Sequence, residues 1–393
     1  MKKGIIKLAA GAAAILLMST SAQAGYTMKK KVGDVDTKLT MFGFAQLEAR
    51  GGDGTIAEDE ASNVAFGAQR VRLGWKYVAG KVRGKVFLDF NQDAAPNYKT
   101  GDGAAMPKMV KDAFVSYVAD PAFVAKLGLI KMPNGMGFTM PGWNLDIVER
   151  GFDKALALER NTGFMISGRG IGFSGNKVNG FEMGHERPWK GFGYDVMIAN
   201  QASRSAAANS SKNGGNAYAV RGMFDYTEKL HLEASYAMSE NAGGLDANVT
   251  VGNEDYSNFN FGVDSNLGPL SLKAEYFDAT NIKGIKDYNE QVLTATAGYF
   301  VKDNIELTTK VISGKAQGNG ADTSLTNTYL GVNLFLSQPK SDFSRKSKRG
   351  RNQHKVVANY ILASGDTSGS TNEWNGLKGY KDNAFAIQYQ FKF

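Results

Sequence analysis

The chain runs to 393 residues without one cysteine, which excludes a disulfide scaffold, a lipoprotein anchor and thiolate metal centres. Forty-seven glycines against eight prolines, with 11% aromatic residues, exclude a disordered chain and suit many strands joined by turns. The formal charge of +8 drops to +5 if Lys2, Lys3 and Lys7 are removed with a leader, and the segment from Lys340 to Arg351 alone carries +5, so bulk basicity identifies no partner and no nucleic-acid reading is drawn from it.

The start reads Met1-Lys2-Lys3, then an apolar block from Leu8 to Met18, then Ala22-Gln23-Ala24. A basic opening, a short apolar core and a small-x-small site predict a secretory signal peptide over residues 1–24, leaving 25–393 as one body. The block is too short to span a bilayer as a helix.

Beyond it the pattern has period two. Leu39, Met41, Gly43, Ala45 and Leu47 alternate with Thr40, Phe42, Phe44, Gln46 and Glu48 in a first strand, followed by an acidic loop over 51–62. Val71, Leu73, Trp75 and Tyr77 alternate with Arg70, Arg72, Gly74 and Lys76. Past an Ala79-Gly80 turn, Val82, Gly84, Val86, Leu88 and Phe90 alternate with Lys81, Arg83, Lys85, Phe87 and Asp89. This predicts a hairpin with an apolar outer face and a basic inner face, pairing Lys76 with Arg83 and Arg72 with Phe87.

Further strands are expected at 108–118, 124–131, 161–170, 179–187, 191–201, 216–226, 229–239, 256–266, 269–279, 290–301, 304–313, 325–337 and 353–363. In the last strand Phe385, Ile387, Tyr389, Phe391 and Phe393 oppose Ala386, Gln388, Gln390 and Lys392. An aromatic face ending on a terminal Phe suits the closing strand of a transmembrane antiparallel β-barrel with a lipid-facing wall and a wet bore. Tight turns at 227–228, 267–268 and 302–303 alternate with long polar loops at 202–215, 241–255 and 280–288, as periplasmic turns alternate with extracellular loops. The count is seventeen, but such barrels have even numbers. Sixteen strands are expected, eighteen is the alternative, and the fault is placed between 161 and 201. That size leaves a water-filled channel.

The segment of about 132–160 is long, and less polar than the other long loops. It is expected to fold into the bore and narrow it.

Gly128-Leu129-Ile130-Lys131-Met132-Pro133-Asn134-Gly135, Glu149-Arg150, Arg160-Asn161-Thr162-Gly163 and Ser167-Gly168 resemble the phosphate-selective porin O and P family. So do Gln69-Arg70-Val71-Arg72-Leu73-Gly74 and the stretch from Val110 to Tyr117, which puts the dense part of the likeness between Arg70 and Gly168. The resemblance implies a homotrimer of sixteen-stranded barrels in the outer membrane of a Gram-negative bacterium, each with an anion channel lined by Arg and Lys. It also implies a constriction role for Lys131, Arg150 and Arg160. The stretch from Lys131 to Arg160 departs from that pattern in carrying four charges of each sign, where a phosphate site calls for one.

The candidate anion-attracting row is Arg70, Arg72, Lys76, Lys81, Arg83 and Lys85, and the candidate constriction residues are Lys131, Glu149, Arg150 and Arg160. Arg grips phosphate or carboxylate with two parallel hydrogen bonds. The bland alternative has these cations paired with acids of the inner loop, as in an unselective channel, or merely pinning that loop. Lipid and lipopolysaccharide outside and small anions inside are the expected partners. No cofactor or metal is expected: His185, His231 and His354 are scattered, and no nucleophile elbow is present, so an enzyme is not predicted. The alternatives left open are a weakly selective diffusion pore and a structural or adhesive barrel. The run from Lys340 to Arg351 is expected in a periplasmic turn.

Overall fold

A computed structural model describes residues 26–52, 64–91, 109–172, 187–188, 190–201, 215–227, 229–240, 254–318, 321–337, 352–365, 377 and 379–393. The predicted leader, the segment from Lys340 to Arg351 and most of the loops at 51–62, 202–215 and 241–255 lie outside them.

The first half comprises β1 (Tyr26–Val32), β2 (Val35–Gly51), β3 (Ala65–Ala79), β4 (Val82–Asp89), β5 (Val110–Asp120), β6 (Phe123–Lys131), β7 (Arg160–Ile171) and β8 (Gly191–Asn200). The second comprises β9 (Asn216–Thr227), β10 (Leu230–Ser239), β11 (Tyr256–Leu267), β12 (Leu270–Thr280), β13 (Asn289–Lys302), β14 (Ile305–Gly318), β15 (Ala321–Phe335), β16 (His354–Ser364) and β17 (Ala384–Lys392). From β2 to β17 every strand is antiparallel to the next, and β17 returns to β2 with Phe385 opposite Gly51 and Lys392 opposite Phe44. These sixteen strands close a barrel and leave no open edge between first and last.

The seventeenth strand is β1, which the sequence pattern did not reveal. It pairs with the other half of the same β2 edge, Tyr26 opposite Met41 and Val32 opposite Val35. It takes up that edge just beyond Phe393, whose backbone exchanges two hydrogen bonds of 3.0 Å with Gly43. The strand expected at 179–187 falls almost wholly outside the described residues, and β7 pairs directly with β8, so the ring has no place for it.

Face assignment follows the alternation. Val71, Val86, Leu127, Phe164, Val196, Val220, Phe261, Leu293, Val311, Leu330, Val332 and Tyr360 all stand exposed on the outside. Tyr77, Tyr117, Phe123, Phe192, Tyr226 and Tyr299, near the tight turns, are exposed too, and form a girdle of the kind found at a membrane interface. The inner wall departs from a purely polar rule. Phe277, Val292, Ile312 and Tyr329 point inward and are buried against Phe138, Ile147, Phe152 and Leu156 of the segment that connects β6 to β7.

The β3–β4 hairpin corrects the expected register. Its two-residue loop is Gly80-Lys81, not Ala79-Gly80, because Gly80 takes φ 53°, a left-handed conformation that glycine adopts without the Cβ penalty. Lys76 therefore faces Lys85, Arg72 faces Asp89 and Gly74 faces Phe87. Lys81 leaves the inner row and sits exposed in the turn. Arg83 pairs opposite Val78 at the turn end and donates to the carbonyls of Gly80 and Val82.

Candidate functional site

Residues 132–159 cross the inside of the barrel. They contain one helical turn, α1 (Met136–Thr139), and two 3-10 turns, Gly142–Asn144 and Phe152–Leu156. Gly135 and Gly151, with φ of 81° and 93°, bend the chain where a side chain would be strained. Between these bends the segment is tied to one wall after another. Asn134 donates to Asn258 at 2.6 Å, Gly135 N–H to Ser235 at 3.1 Å and Gly137 N–H to Glu275 at 2.8 Å, while Leu158 N–H donates to Asn134 within the segment at 3.3 Å. At the far end of its path Gln46 donates to Gly142 O and Gln390 to Trp143 O, both at 3.1 Å. Lys355 donates to Leu145 O at 2.6 Å and Val148 N–H to Asn359 at 2.9 Å. Backbone polar groups of a loop inside a barrel need such partners, and here the inner faces of β2, β10, β11, β12, β16 and β17 supply them.

The acids of the segment engage the same walls. Asp146 is ion-paired with Lys273, and Asp153 lies 3.6 Å from Lys310. Glu149 accepts from Arg50 and from the Tyr329 hydroxyl, each at 3.1 Å. Of the predicted constriction residues, Glu149 is thus tied to the β2 and β15 side. Arg150 turns back on its own segment, donating to Gly137 O at 3.1 Å and to Met140 O. Its burial, together with Arg72 and Arg160 beside it, lowers its pKa to about 10.

Opposite lies a basic wall built from β3 to β7. Arg72 donates from Nε to Asp89 at 2.8 Å, Lys85 is paired with Asp112, and Arg160 reaches the second Asp112 oxygen at 2.9 Å. Arg70 is buried and donates to Gln46 and Gln69; Lys131 is buried and donates to Phe138 O. Arg70, Arg72, Lys85, Lys131 and Arg160 therefore come together with Arg150, while Lys81 and Arg83 stay at the turn end. Among the described residues Arg72, Lys85 and Arg160 are ion-paired with Asp89 and Asp112 of the wall itself, while Lys131 and Arg150 donate to carbonyls of the inner segment.

Two residues of this wall escaped the sequence reading. Asp112 lies in a predicted strand and in the stretch that carries the resemblance, but nothing in the sequence assigns it a role. Lys111 shares its electrostatic surroundings with Arg160, Arg72 and Glu159. A register shift between Phe87 and Leu88 sets Phe87 opposite Asp112 and Leu88 opposite Val110, so Lys111 falls in the bulge between them. Simple alternation would have put it outside.

A second charged layer lines β7 to β11. Asp195 receives Arg169 at 2.9 Å and Arg221 at 2.5 Å, His231 lies between Asp225 at 2.6 Å and Glu233 at 3.1 Å, and Arg187 reaches Asp264 at 2.6 Å. His354 lies 3.3 Å from the Tyr389 hydroxyl, and His185 is outside the described residues. Among the described residues no three acidic or imidazole side chains are grouped to hold a metal.

The sequence matches the Gram-negative porin family over residues 9–338. No curated protein sequence matches it. The fold is similar to OmpT of Vibrio cholerae, solved in its trimer form, with a TM-score of 0.54 at 14% identity over 94% of this chain and 100% of that one. It is similar to the anion-selective porin from Comamonas acidovorans, with a TM-score of 0.58 at 13% identity over 91% and 100%. Salmonella typhi OmpF in complex with daunomycin gives a TM-score of 0.56 at 13% identity over 93% and 100%.

Proposed function

The chain belongs to the Gram-negative porin family, and from that premise we propose that this outer-membrane diffusion channel prefers anions. The observation that carries the preference is the separation of charge inside the barrel. Three acids of the inner segment, Asp146, Glu149 and Asp153, are engaged by Lys273, Arg50 and Lys310 on β12, β2 and β14, and the fourth, Glu159, is paired with Lys154 of the segment itself and lies beside Arg160. Arg72, Lys85 and Arg160 of the β3–β7 wall, three cations, are ion-paired among the described residues with two carboxylates, Asp89 and Asp112. Arg70, Lys131 and Arg150 donate to neutral groups, so the passage along that wall has net positive charge. In a narrow bore with low-dielectric walls such an excess raises the local concentration of counter-ions. Segment 132–159 is then the constriction, with Arg72, Lys111 and Arg160 on one side and Arg150 on the other.

Inorganic phosphate is the first cargo to test, given the O and P resemblance of the strands from Arg70 to Gly168. A homotrimer is the proposed assembly, as in the OmpT trimer form, with export by the leader at 1–24 and lipid and lipopolysaccharide around the apolar belt. The test is the reversal potential of the purified channel in planar bilayers under a potassium chloride gradient, repeated with potassium phosphate. Anion preference that falls in Arg72→Gln, Lys111→Gln and Arg160→Gln supports the reading. Cation preference of the unaltered channel overturns it.

A further inference from the structure

Three cross-strand rows on the inner face of β2, β3 and β4 lie one above another. The first is Phe44–Arg72–Asp89, the second Phe42–Gly74–Phe87 and the third Thr40–Lys76–Lys85. In the middle row the missing side chain of Gly74 lets the flanking rings meet across β3, with centroids 5.2 Å apart and planes 22° from parallel. A Cβ at Gly74 would stand 2.6 Å from Phe87 and 3.0 Å from Phe42. The cations of the neighbouring rows lie over these rings. Arg72 is 5.7 Å from the centroids of Phe44 and Phe87, Lys76 is 4.5 Å from Phe42, and Lys85 is 5.0 Å from Phe87.

The rings face a bore where the dyad pattern calls for polar groups, yet Phe42, Phe44 and Phe87 are all buried, so they touch cations and Trp143 rather than solute. Lys76 and Lys85, meanwhile, stand directly opposite each other, an arrangement that like charges oppose. A ring face attracts an ammonium or guanidinium through its quadrupole and supplies no negative charge. Arg72 and Lys85 already pair with Asp89 and Asp112, the latter divided with Arg160; the rings hold these cations and Lys76 without adding negative charge, so the layer keeps more cations than carboxylates.

We propose that the stacked pair Phe42 and Phe87, closed over the vacancy at Gly74, is the specificity-determining layer of the channel, positioning Arg72, Lys76 and Lys85 for passing anions. This rests on the anion-preferring reading above. The rings are positioning residues that act through the three cations.

Reversal potentials under a salt gradient test it. Phe42→Leu and Phe87→Leu keep apolar bulk and lose the ring face, and each is expected to lower the anion-to-cation permeability ratio about twofold or more, while Phe87→Tyr retains it. Retention of the compact, heat-modifiable band on gels shows that the variants are folded. Should the leucine variants fail to fold, pentafluorophenylalanine at position 87 preserves the shape and reverses the charge of the ring face, with the same loss expected. Unchanged selectivity in the folded variants, beside a loss in Lys76→Gln, overturns the inference and leaves the anion reading standing. A cation-preferring wild type overturns both.

Discussion

Lys85 and Arg160 divide one carboxylate between them: Arg160 takes Asp112 Oδ1 at 2.9 Å and Lys85 takes Oδ2. The three residues come from β4, β5 and β7, and Lys85 and Asp112 are both buried. Asp112→Asn removes the charge and leaves two cations facing each other. Breaking a buried pair by deleting one partner costs about 3 kcal/mol. The variant is therefore expected to unfold at lower denaturant in detergent micelles, yet to be more anion-preferring in bilayers than the parent. A stable variant with unchanged selectivity would remove Asp112 from the charge balance of the bore.

The lipid-facing assignment can be tested away from the bore. Leu330, on β15, is exposed on the outer face amid Val332, Leu307 and Val311. An arginine at mid-membrane on the lipid side of a barrel costs about 2–4 kcal/mol. Leu330→Arg is expected to fold into lipid vesicles with that loss, measured by denaturant titration. Asn327→Ala, on the inner face of the same strand, makes a useful contrast: it loses the hydrogen bonds to Tyr380 but retains insertion.

Much of this was legible because lipid imposes a period of two on every strand. Leu293, Val311 and Leu330 look outward as their parity requires. What escaped was set by contacts distant in sequence. The run Lys29-Lys30-Lys31 masked β1, whose strand character comes from pairing with β2. The hairpin register turned on which residue could take a positive φ, and Gly80 rather than Ala79 occupies that place. Phe42, Phe44 and Phe87 break the rule of a polar bore because the cations and Trp143 that cover them lie on other strands and on the inner segment. Lys111 was lost to a bulge. Of the candidate site, the cations were visible as residue types and so was Asp89 on the hairpin's inner face, one register away from Arg72; the role of Asp112 was not, since it meets Arg160 only after the barrel curls.

The bend at Gly151 offers a test of the inner segment's docking. Its φ is 93°, and a Cβ there would collide with Ile312 of β14. Gly151→Ala combines backbone strain of about 1–3 kcal/mol with that overlap. The barrel's own strands are not affected, so the expected outcome is a folded barrel whose segment is undocked. Limited proteolysis should cleave between residues 132 and 159 in the variant and spare the parent, and single-channel records should become noisier. Equal resistance to protease would mean that Ile312 yields and the bend tolerates a side chain.

Acid stability gives a test with a defined sign. Burial disfavours the charge on Glu159, but Lys154, at 2.8 Å, and the adjacent Arg160 outweigh it and bring its pKa from 4.5 down to about 2. A carboxyl whose pKa is depressed by folding contributes stability that is present above its unfolded value and lost as the pH falls through the folded one. The contribution is therefore complete above about 4.5 and disappears between there and about 2. Glu159→Gln should flatten the pH dependence of unfolding in that window and lower stability above it. Lys154, being largely exposed, supplies only part of the effect, so Lys154→Gln should shift the acid limb toward higher pH without abolishing it. An acid limb unchanged in Glu159→Gln would mean that the carboxyl titrates alike in the folded and unfolded chain, and that the pairing with Lys154 does not hold the segment's return into β7.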